Sequence, residues 1–324
     1  MNGPRPPWAR PRRRVSAREF VVLGALGSFA AGLSSAGCAG DRIVLGQDPT
    51  GDAAPPPATF GPPELVAELG ANGADDDKPT LTSDRLEIYF LSTRDGGPGG
   101  GDVWRSTRSA PADVWASPSL VAEVSTSSHE KSPAISGDGL TLWVASDRSG
   151  GQGGLDIWVS TRADRSASWS APVPVAALNS AGDEIPRPPG QGGLVMPLGV
   201  RPPSSSEYQI AVSSRAATSA AWKTPSPLTE VDTANTDVDG FLGDDGLVLH
   251  FSSDRQNKGD QDLFVARRAA VGGAFGGFAP IAELNTSHDD RDPWLSSDGG
   301  EIFFSSDRGG TLKIYRATRL AASQ

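Results

Sequence analysis

Five acidic residues recur along this chain at intervals of 53 to 54 residues, and they are its first candidates for a chemical site. Each stands three residues before a proline, except in the fourth copy, where Gly240 takes the place of the proline. Five arginines follow in the same register. If the fold brings these acids together as a ring at the mouth of a channel, the ring could bind a cation, a basic peptide tail or a sugar. The acids are Asp76, Glu130, Asp183, Asp237 and Asp290, and the arginines are Arg94, Arg148, Arg201, Arg255 and Arg308.

The same residues also have a structural interpretation, in which each acid pairs with the arginine of its own copy and fixes the adjoining linker. Ion-pair networks of this kind are common in proteins. A residue type that is kept in every copy more often serves the repeat than a ligand, because a binding site needs asymmetry. We favour the structural interpretation, and the sequence leaves both open.

Short apolar segments rich in β-branched and aromatic residues accompany each acid, and Gly, Asp and Ser bound them, which is typical of β-strands. Residues 132–162 contain three such segments, "PAIS", "LTLWVAS" and "LDIWVST", separated by a "GDG" turn and by the loop "DRSGGQGG". A fourth segment, an aromatic residue followed by proline and an apolar run, recurs between copies, as in "WASPSLVAEV" from Trp115. Tandem units of four strands predict a β-propeller.

The ends of the repeat array indicate how the propeller closes. The fifth copy stops after its third strand, whereas a fifth aromatic–proline segment, "FGPPELVAEL" from Phe60, precedes the first copy. We therefore expect an all-β fold over residues 60–324, with five four-stranded blades closed by an N-terminal outer strand. Copy three is degenerate, because Gln191 replaces the turn aspartate and several prolines, which disfavour strand pairing, crowd the segment.

The segment "SPAISGDGLTLWVASDRSGGQGGLDIWVSTR" resembles the WD40-like PD40 repeats that build TolB-type propellers. The features shared are the proline before strand one, the "GDG" turn, "SDR" at the end of strand two, the glycine-rich loop and "LDIW" at the start of strand three. The resemblance covers about residues 60–319 and implies a propeller that binds other proteins. It is specific for fold and weak for function.

Blade connectivity sorts the loops onto two faces. The "GDG" turns lie on one face, which we call the GDG face. The "SDR" loops and the inter-blade linkers lie on the other, which we call the SDR face. The five acids and five arginines are expected on the SDR face, so this is the predicted binding face.

Charge limits the partners. The whole chain has a formal net charge of -10, and the part after residue 37 carries 23 basic and 38 acidic residues, a net charge of −15. A body this acidic is a poor candidate for nucleic-acid binding, which needs clustered Lys and Arg.

The N-terminus has the pattern of an export signal. Six arginines precede the apolar run "FVVLGALGSFAAGL", and small residues lead to Cys38, the only cysteine. We expect a signal peptide over residues 1–37, a flexible tether over residues 38–59 and a lipid anchor on Cys38. The expected location is the periplasm or outer membrane. Ser35 departs from the usual lipobox, and ordinary cleavage after Ala36 is the alternative. The lipid would be the only membrane contact.

No cofactor is expected. The histidines show no zinc spacing, and His250 aligns with strand residues that should be packed. His129 and His288 lie in linkers and are weak ligand candidates. The acidic runs at Asp75–Asp77 and Asp289–Asp292 lack EF-hand spacing, so no motif supports a bound Ca²⁺.

These observations predict a monomeric, non-catalytic propeller lipoprotein of the cell envelope that binds a protein or glycan through the SDR face. The alternative is a five-bladed glycoside hydrolase-like enzyme that uses channel carboxylates. Such chemistry needs two carboxyl groups about 5–10 Å apart in unlike environments, and five equivalent acids do not single out a pair.

Overall fold

The computed structural model describes residues 59–256 and 260–321. The predicted signal peptide, Cys38 and all but the last residue of the predicted tether lie outside this part of the chain. The strands are β1 (Glu64–Leu65), β2 (Asp76–Leu81), β3 (Glu87–Ser92), β4 (Asp102–Thr107), β5 (Ser119–Leu120), β6 (Glu130–Ile135), β7 (Thr141–Ser146), β8 (Asp156–Thr161), β9 (Val173–Pro174), β10 (Asp183–Pro186), β11 (Val195–Arg201), β12 (Gln209–Ser214), β13 (Ser226–Pro227), β14 (Asp237–Leu242), β15 (Val248–Ser253), β16 (Asp262–Arg267), β17 (Gly276–Pro280), β18 (Asp290–Leu295), β19 (Glu301–Ser306) and β20 (Lys313–Thr318).

The strands form five antiparallel four-stranded sheets arranged in a ring, which is a five-bladed β-propeller. Blades one to four are β2–β5, β6–β9, β10–β13 and β14–β17, and each is ordered along the chain from its inner to its outer strand. A short 3₁₀ helix over Ala67–Leu69 leads from β1 towards blade one. The predicted fold class and blade count are confirmed.

Blade five is completed by the N-terminus, as expected from the sequence. Its order is β18, β19, β20 and then β1. Glu64 pairs with Arg316 and Leu65 with Tyr315, and an isolated bridge joins Phe60 to Arg319. The two ends of the propeller are therefore held together by backbone pairing.

One side-chain device recurs at all five blades and explains the aromatic residue that precedes each outer strand. The arginine that follows the third strand of each blade lies over that aromatic ring. The Nε of this arginine donates to a backbone carbonyl in the turn between the first and second strands. The five pairs are Arg108–Trp115, Arg162–Trp169, Arg215–Trp222, Arg268–Phe275 and Arg319–Phe60, at 4.1 to 4.9 Å. The carbonyls belong to Arg85, Gly139, Gly193, Gly246 and Gly299. The last pair reproduces the device across the closure.

The innermost strands differ in one respect. In blades one, two, four and five, the pairing with the second strand shifts register after the second residue, which is a β-bulge. Blade three has continuous pairing from Asp183 to Pro186 despite its prolines. The bulges matter for the site because they redirect one side chain in each of four blades.

Candidate functional site

The five predicted acids occupy the first position of the inner strands and are buried, with at most 7% of their surface exposed. Each accepts a bond from the predicted arginine eighteen residues later. The pairs are Asp76–Arg94 at 2.5 Å, Glu130–Arg148 at 3.0 Å, Asp183–Arg201, Asp237–Arg255 at 2.6 Å and Asp290–Arg308 at 2.5 Å. The acid–arginine ion pairs that the structural interpretation predicts are thus present in all five blades.

These pairs also hold the linkers. In blade two the backbone N–H of Thr126 donates to Glu130, and Arg148 donates to the carbonyl of Val124. Blades four and five repeat both contacts with Asp237 and Asp290. In these three blades both members of the pair therefore anchor the chain between blades. A role for these residues in ligand binding stays a prediction.

Blade three divides this job between two acids. Glu184 accepts the linker N–H from Ser180 at 2.9 Å. Asp183 instead accepts bonds from the Tyr208 hydroxyl at 2.7 Å and from the backbone N–H of Leu155 at 3.1 Å. The degenerate copy therefore folds as a blade and presents different side chains on the SDR face.

A depression of about 370 Å³ lies at this place on the SDR face. It is lined by Asp183, Arg201 and Tyr208 of blade three and by His129, Lys131 and Asp147 of blade two, among others. The Arg201 guanidinium lies over the Tyr208 ring at 5.2 Å. Burial, together with nearby Lys78, lowers the pKa of Lys131, and burial and Lys131 lower the pKa of His129. Two of the predicted binding-face residues, Asp183 and Arg201, thus border a concave surface.

A second group of charges lies deeper, and the sequence analysis did not single it out. The Lys78 Nζ lies 2.7 Å from Asp292 Oδ1 and 3.2 Å from Asp239 Oδ1. These residues hold the third position of the inner strands of blades one, five and four. Since inner strands surround the axis of a propeller, we call this group the axial cluster.

The β-bulges explain how these side chains meet. Lys78, Asp239 and Asp292 all have positive φ, between 56° and 61°. Non-glycine residues rarely adopt this conformation, and it persists only where surrounding contacts enforce it. Here the backbone N–H of Lys78 donates to Ser305 Oγ, and that of Asp292 donates to Ser252 Oγ, each on the second strand of the preceding blade.

Further charges surround the cluster. Arg291 Nη2 donates to Asp77 Oδ2 at 2.8 Å, and Arg187 Nη2 donates to the carbonyl of Pro293 at 2.6 Å. Arg187 is fully buried. Within the described residues, Arg187 Nε and Nη1, Asp77 Oδ1 and Ser132 Oγ have no hydrogen-bond partner. The channel interior is therefore polar on several sides.

The electrostatics of the cluster are unequal. Burial opposes ionisation of Asp292, but Lys78 and Arg291 outweigh it and hold its pKa well below the usual range. Burial raises the pKa of Asp239, and raises that of Asp77 to about 6 against the opposing Arg291. For Lys78, burial is outweighed by Asp239 and Asp292, so its pKa is raised and the ammonium stays charged.

The sequence contained a signal for the axial cluster. The residue two places after each predicted acid varies among the copies, as Lys78, Ser132, Ile185, Asp239 and Asp292. The repeated position drew attention because it was repeated, whereas the axial cluster lies at a position that varies.

The histidines are placed as follows. His250 is buried, as predicted from its alignment. His288 Nδ1 lies 3.5 Å from Asp307 Oδ1, and His129 donates its backbone N–H to Asp147. The described residues contain no group of three or more His, Cys, Asp and Glu side chains placed to hold a metal ion. Nor do they include a helix long and apolar enough to cross a membrane.

No family model and no curated protein match this chain. Solved structures do. A TolB-type protein of Agrobacterium tumefaciens is 14% identical, with 71% of this chain and 69% of that chain covered and a TM-score of 0.45. A thermostable family-43 glycoside hydrolase is 10% identical, with coverages of 79% and 92% and a TM-score of 0.51.

A family 117 glycoside hydrolase of the marine bacterium Zobellia galactanivorans is 10% identical, with coverages of 81% and 90% and a TM-score of 0.50. At these identities the similarity shows the fold alone. It does not decide between a binding function and a hydrolytic one.

Proposed function

We propose that this chain is a non-catalytic propeller of the cell envelope that binds a protein or glycan partner through the SDR face. The observation that carries the proposal is the depression between blades two and three, which combines concavity with a break in the repeat. A partner that meets this surface meets side chains that no other blade presents in the same combination.

The depression offers complementary chemistry to an acidic or hydroxyl-rich partner. Lys131 is half-buried there and forms no ion pair with another described residue, and the side chain of Arg201 is 38% exposed beside Tyr208. Aromatic and arginine side chains are the types enriched at binding hot spots. A carboxylate-bearing protein loop or a sugar could each use these donors.

The partner can be sought by crosslinking followed by pull-down. A photo-crosslinking residue at Ser206, which lines the depression, should capture one envelope partner from intact cells. Lys131→Gln and Arg201→Gln should each reduce capture severalfold. Lys223→Gln is the matched control, because it removes one exposed cation away from the depression. Equal capture of a partner by the wild type and the three variants, or no capture by any of them, would contradict the proposal.

Cell-envelope placement is part of the same proposal and rests on the N-terminal sequence. Labelled fatty acid should be incorporated into the wild type and not into Cys38→Ala. Equal labelling of both proteins would rule out the lipid anchor while leaving the binding proposal to its own test.

A glycoside hydrolase is the second candidate, because the axial cluster brings carboxylates from different blades into unlike environments. Its Lys78 contacts place the two carboxylate oxygens of Asp239 and Asp292 no more than about 6 Å apart, close to the spacing of about 5–5.5 Å in retaining enzymes. However, the Lys78 ammonium contacts both carboxylates, and all three residues are buried. This arrangement favours the non-catalytic function.

The two candidates separate in one assay. Purified protein should release no sugar from arabinofuranosyl, xylosyl and other glycan substrates. Turnover that disappears in Asp239→Asn and Asp292→Asn, with the fold retained, would replace the proposed function by the enzymatic one.

A further inference from the structure

A cavity of about 300 Å³ opens on the GDG face, opposite the surface discussed above. It is coaxial with the channel, because the residue five places after each predicted acid lines it in every blade. These residues are Leu81, Ile135, Pro188, Leu242 and Leu295. The volume lies at the lower end of the range for small-molecule sites, which is about 300–1,000 Å³.

The cavity is apolar towards the axis. Phe241 and Trp294 both line it and contact each other edge to face, with ring centroids 6.1 Å apart. Trp294 packs in turn on Phe303. An aromatic or aliphatic group would find a preformed apolar wall here.

Two residues that break the repeat also line the cavity. His250 stands where the other blades have Tyr89, Trp143, Pro197 and Phe303, since each of these pairs with the fourth residue of its third strand. Arg267 stands where they have Thr107, Thr161, Ser214 and Thr318. The two lie on adjacent strands, since Val248 pairs with Arg267 and His250 with Val265. Unrepeated polar residues that converge on one cavity are what a binding site requires and what the repeat does not.

His250 presents an unused polar atom. Its side chain is buried, and within the described residues its Nδ1 has no hydrogen-bond partner. Burial and the nearby Arg319 and Arg267 lower its pKa to about 3, so the imidazole is neutral. A neutral ring can donate or accept one hydrogen bond to a ligand without adding charge.

The charge around His250 favours an anion. At the interface between blades one and two, Arg162 pairs with Glu87 at 2.7 Å. At the equivalent interface between blades four and five, Val248 replaces that acid, and Arg319 lines the cavity with Arg267. Among the described residues, neither arginine forms an ion pair, and Arg267 is exposed.

Acidic residues also border the cavity, but two of the three are already engaged. Asp245 accepts the backbone N–H of Leu247, and Asp298 accepts the hydroxyl of Ser296 and the N–H of Gly300. Asp244 is exposed at the rim. The carboxylates of Asp245 and Asp298 thus serve their own turns, whereas the guanidinium of Arg267 is left for a ligand.

We propose that the GDG-face cavity binds a small monocarboxylate with an aromatic or branched apolar body. The carboxylate lies against Arg267 and Arg319, the apolar body lies on Phe241 and Trp294, and His250 makes the orienting hydrogen bond. This site is separate from the SDR face, and it stands or falls independently of the function proposed above.

The test uses the exported full-length protein and calorimetry with three probes of increasing length, benzoate, phenylacetate and 3-phenylpropionate. At least one should bind with a dissociation constant of about 1 mM or lower, and the matching amide should bind at least tenfold more weakly, because it lacks the charge that Arg267 pairs with. Arg267→Thr should lower the affinity for the acid about tenfold and leave that for the amide unchanged.

His250→Phe and Arg267→Thr restore residue types that the other blades carry, so both proteins should fold. His250→Phe should abolish binding, because the larger ring fills the cavity and removes the imidazole. Thr318→Ala, on the equivalent position of blade five, is the matched control and should bind as the wild type does. Binding of acid and amide with equal affinity, equal affinity of both variants and the wild type, or no binding of any probe would each overturn the proposal.

Discussion

Two groups of buried charges lie in the propeller, and only one of them repeats. The repeated group comprises the five acid–arginine pairs that anchor the linkers, which we call the corners. The other group is the axial cluster. At the corners an acid and an arginine of the same blade pair, as in Glu130–Arg148. At the axis one lysine bridges carboxylates of two other blades, as in Lys78–Asp239 and Lys78–Asp292. The corner contacts span eighteen residues, whereas the axial ones span 161 and 214.

The corners are contacts within one blade, whereas the axial cluster is a set of contacts between blades that is particular to this propeller. A corner can be copied with its repeat, because all of its parts lie in one unit. The axial cluster forms only when blades one, four and five meet in a closed ring. Loss of a corner should therefore weaken one blade, whereas loss of the axial lysine should be felt by the ring as a whole.

The largest effect is expected for Lys78→Met. The change leaves two carboxylates buried together without their shared cation, which should lower the free energy of unfolding by about 3 to 5 kcal/mol. Urea denaturation of the purified protein measures this loss. Lys78→Met combined with Asp239→Asn and Asp292→Asn should recover most of it, because the uncompensated charges are gone. If Lys78→Met alone were as stable as the wild type, the ion pairs of Lys78 would not stabilise the fold.

The next effect tests the repeated arginine–aromatic device at the closure. Phe60→Ala removes a buried ring and the stacking partner of Arg319, and should cost about 3 kcal/mol. Trp115→Ala, within the array, should cost at least as much at equilibrium. Hydrogen exchange provides a second measurement, since Phe60→Ala should also expose the amides of β1 and β20. Exchange confined to β1 would show that closure does not depend on this contact.

A corner variant should have a smaller effect. Glu130→Gln loses the charge that pairs with Arg148 and should lower the free energy of unfolding by about 2 kcal/mol, with a partner's affinity unchanged. Asp183→Asn in blade three should cost less, about 1 kcal/mol, because its arginine is more exposed. Thermal melting and binding measured on the same samples distinguish the roles. Unchanged melting of Glu130→Gln with lost binding would make the corner a ligand site.

The sequence predicted what the repeat encodes. The position of Phe60 ahead of copy one was enough to predict the closing strand, and the register of Glu130 and Arg148 was enough to predict their pair. The axial cluster could not be predicted in this way, because the bulge that turns Lys78 inward depends on Ser305 of another blade. The SDR-face depression depends on Tyr208, which lies in the copy whose alignment was least certain.

The smallest effect concerns the pH dependence of the axial region. Burial raises the pKa of Asp77 to about 6, above its value of about 4 in an unfolded chain. Between these values the folded protein holds a proton that the unfolded chain releases, so stability falls as the pH rises through this window. The wild type should lose about 2 kcal/mol or less from this group, and Asp77→Asn should lose none of it.

Urea denaturation at pH values of about 4, 5, 6 and 7 gives the slope for both proteins. Arg291, Asp292, Lys78 and Asp75 are the charged groups that act on Asp77, and they are unchanged in the variant. The difference between the two slopes therefore isolates the proton on Asp77. Parallel curves would mean that Arg291 keeps Asp77 ionised throughout, and the axis would then resemble the corners, where each buried acid is matched by an arginine.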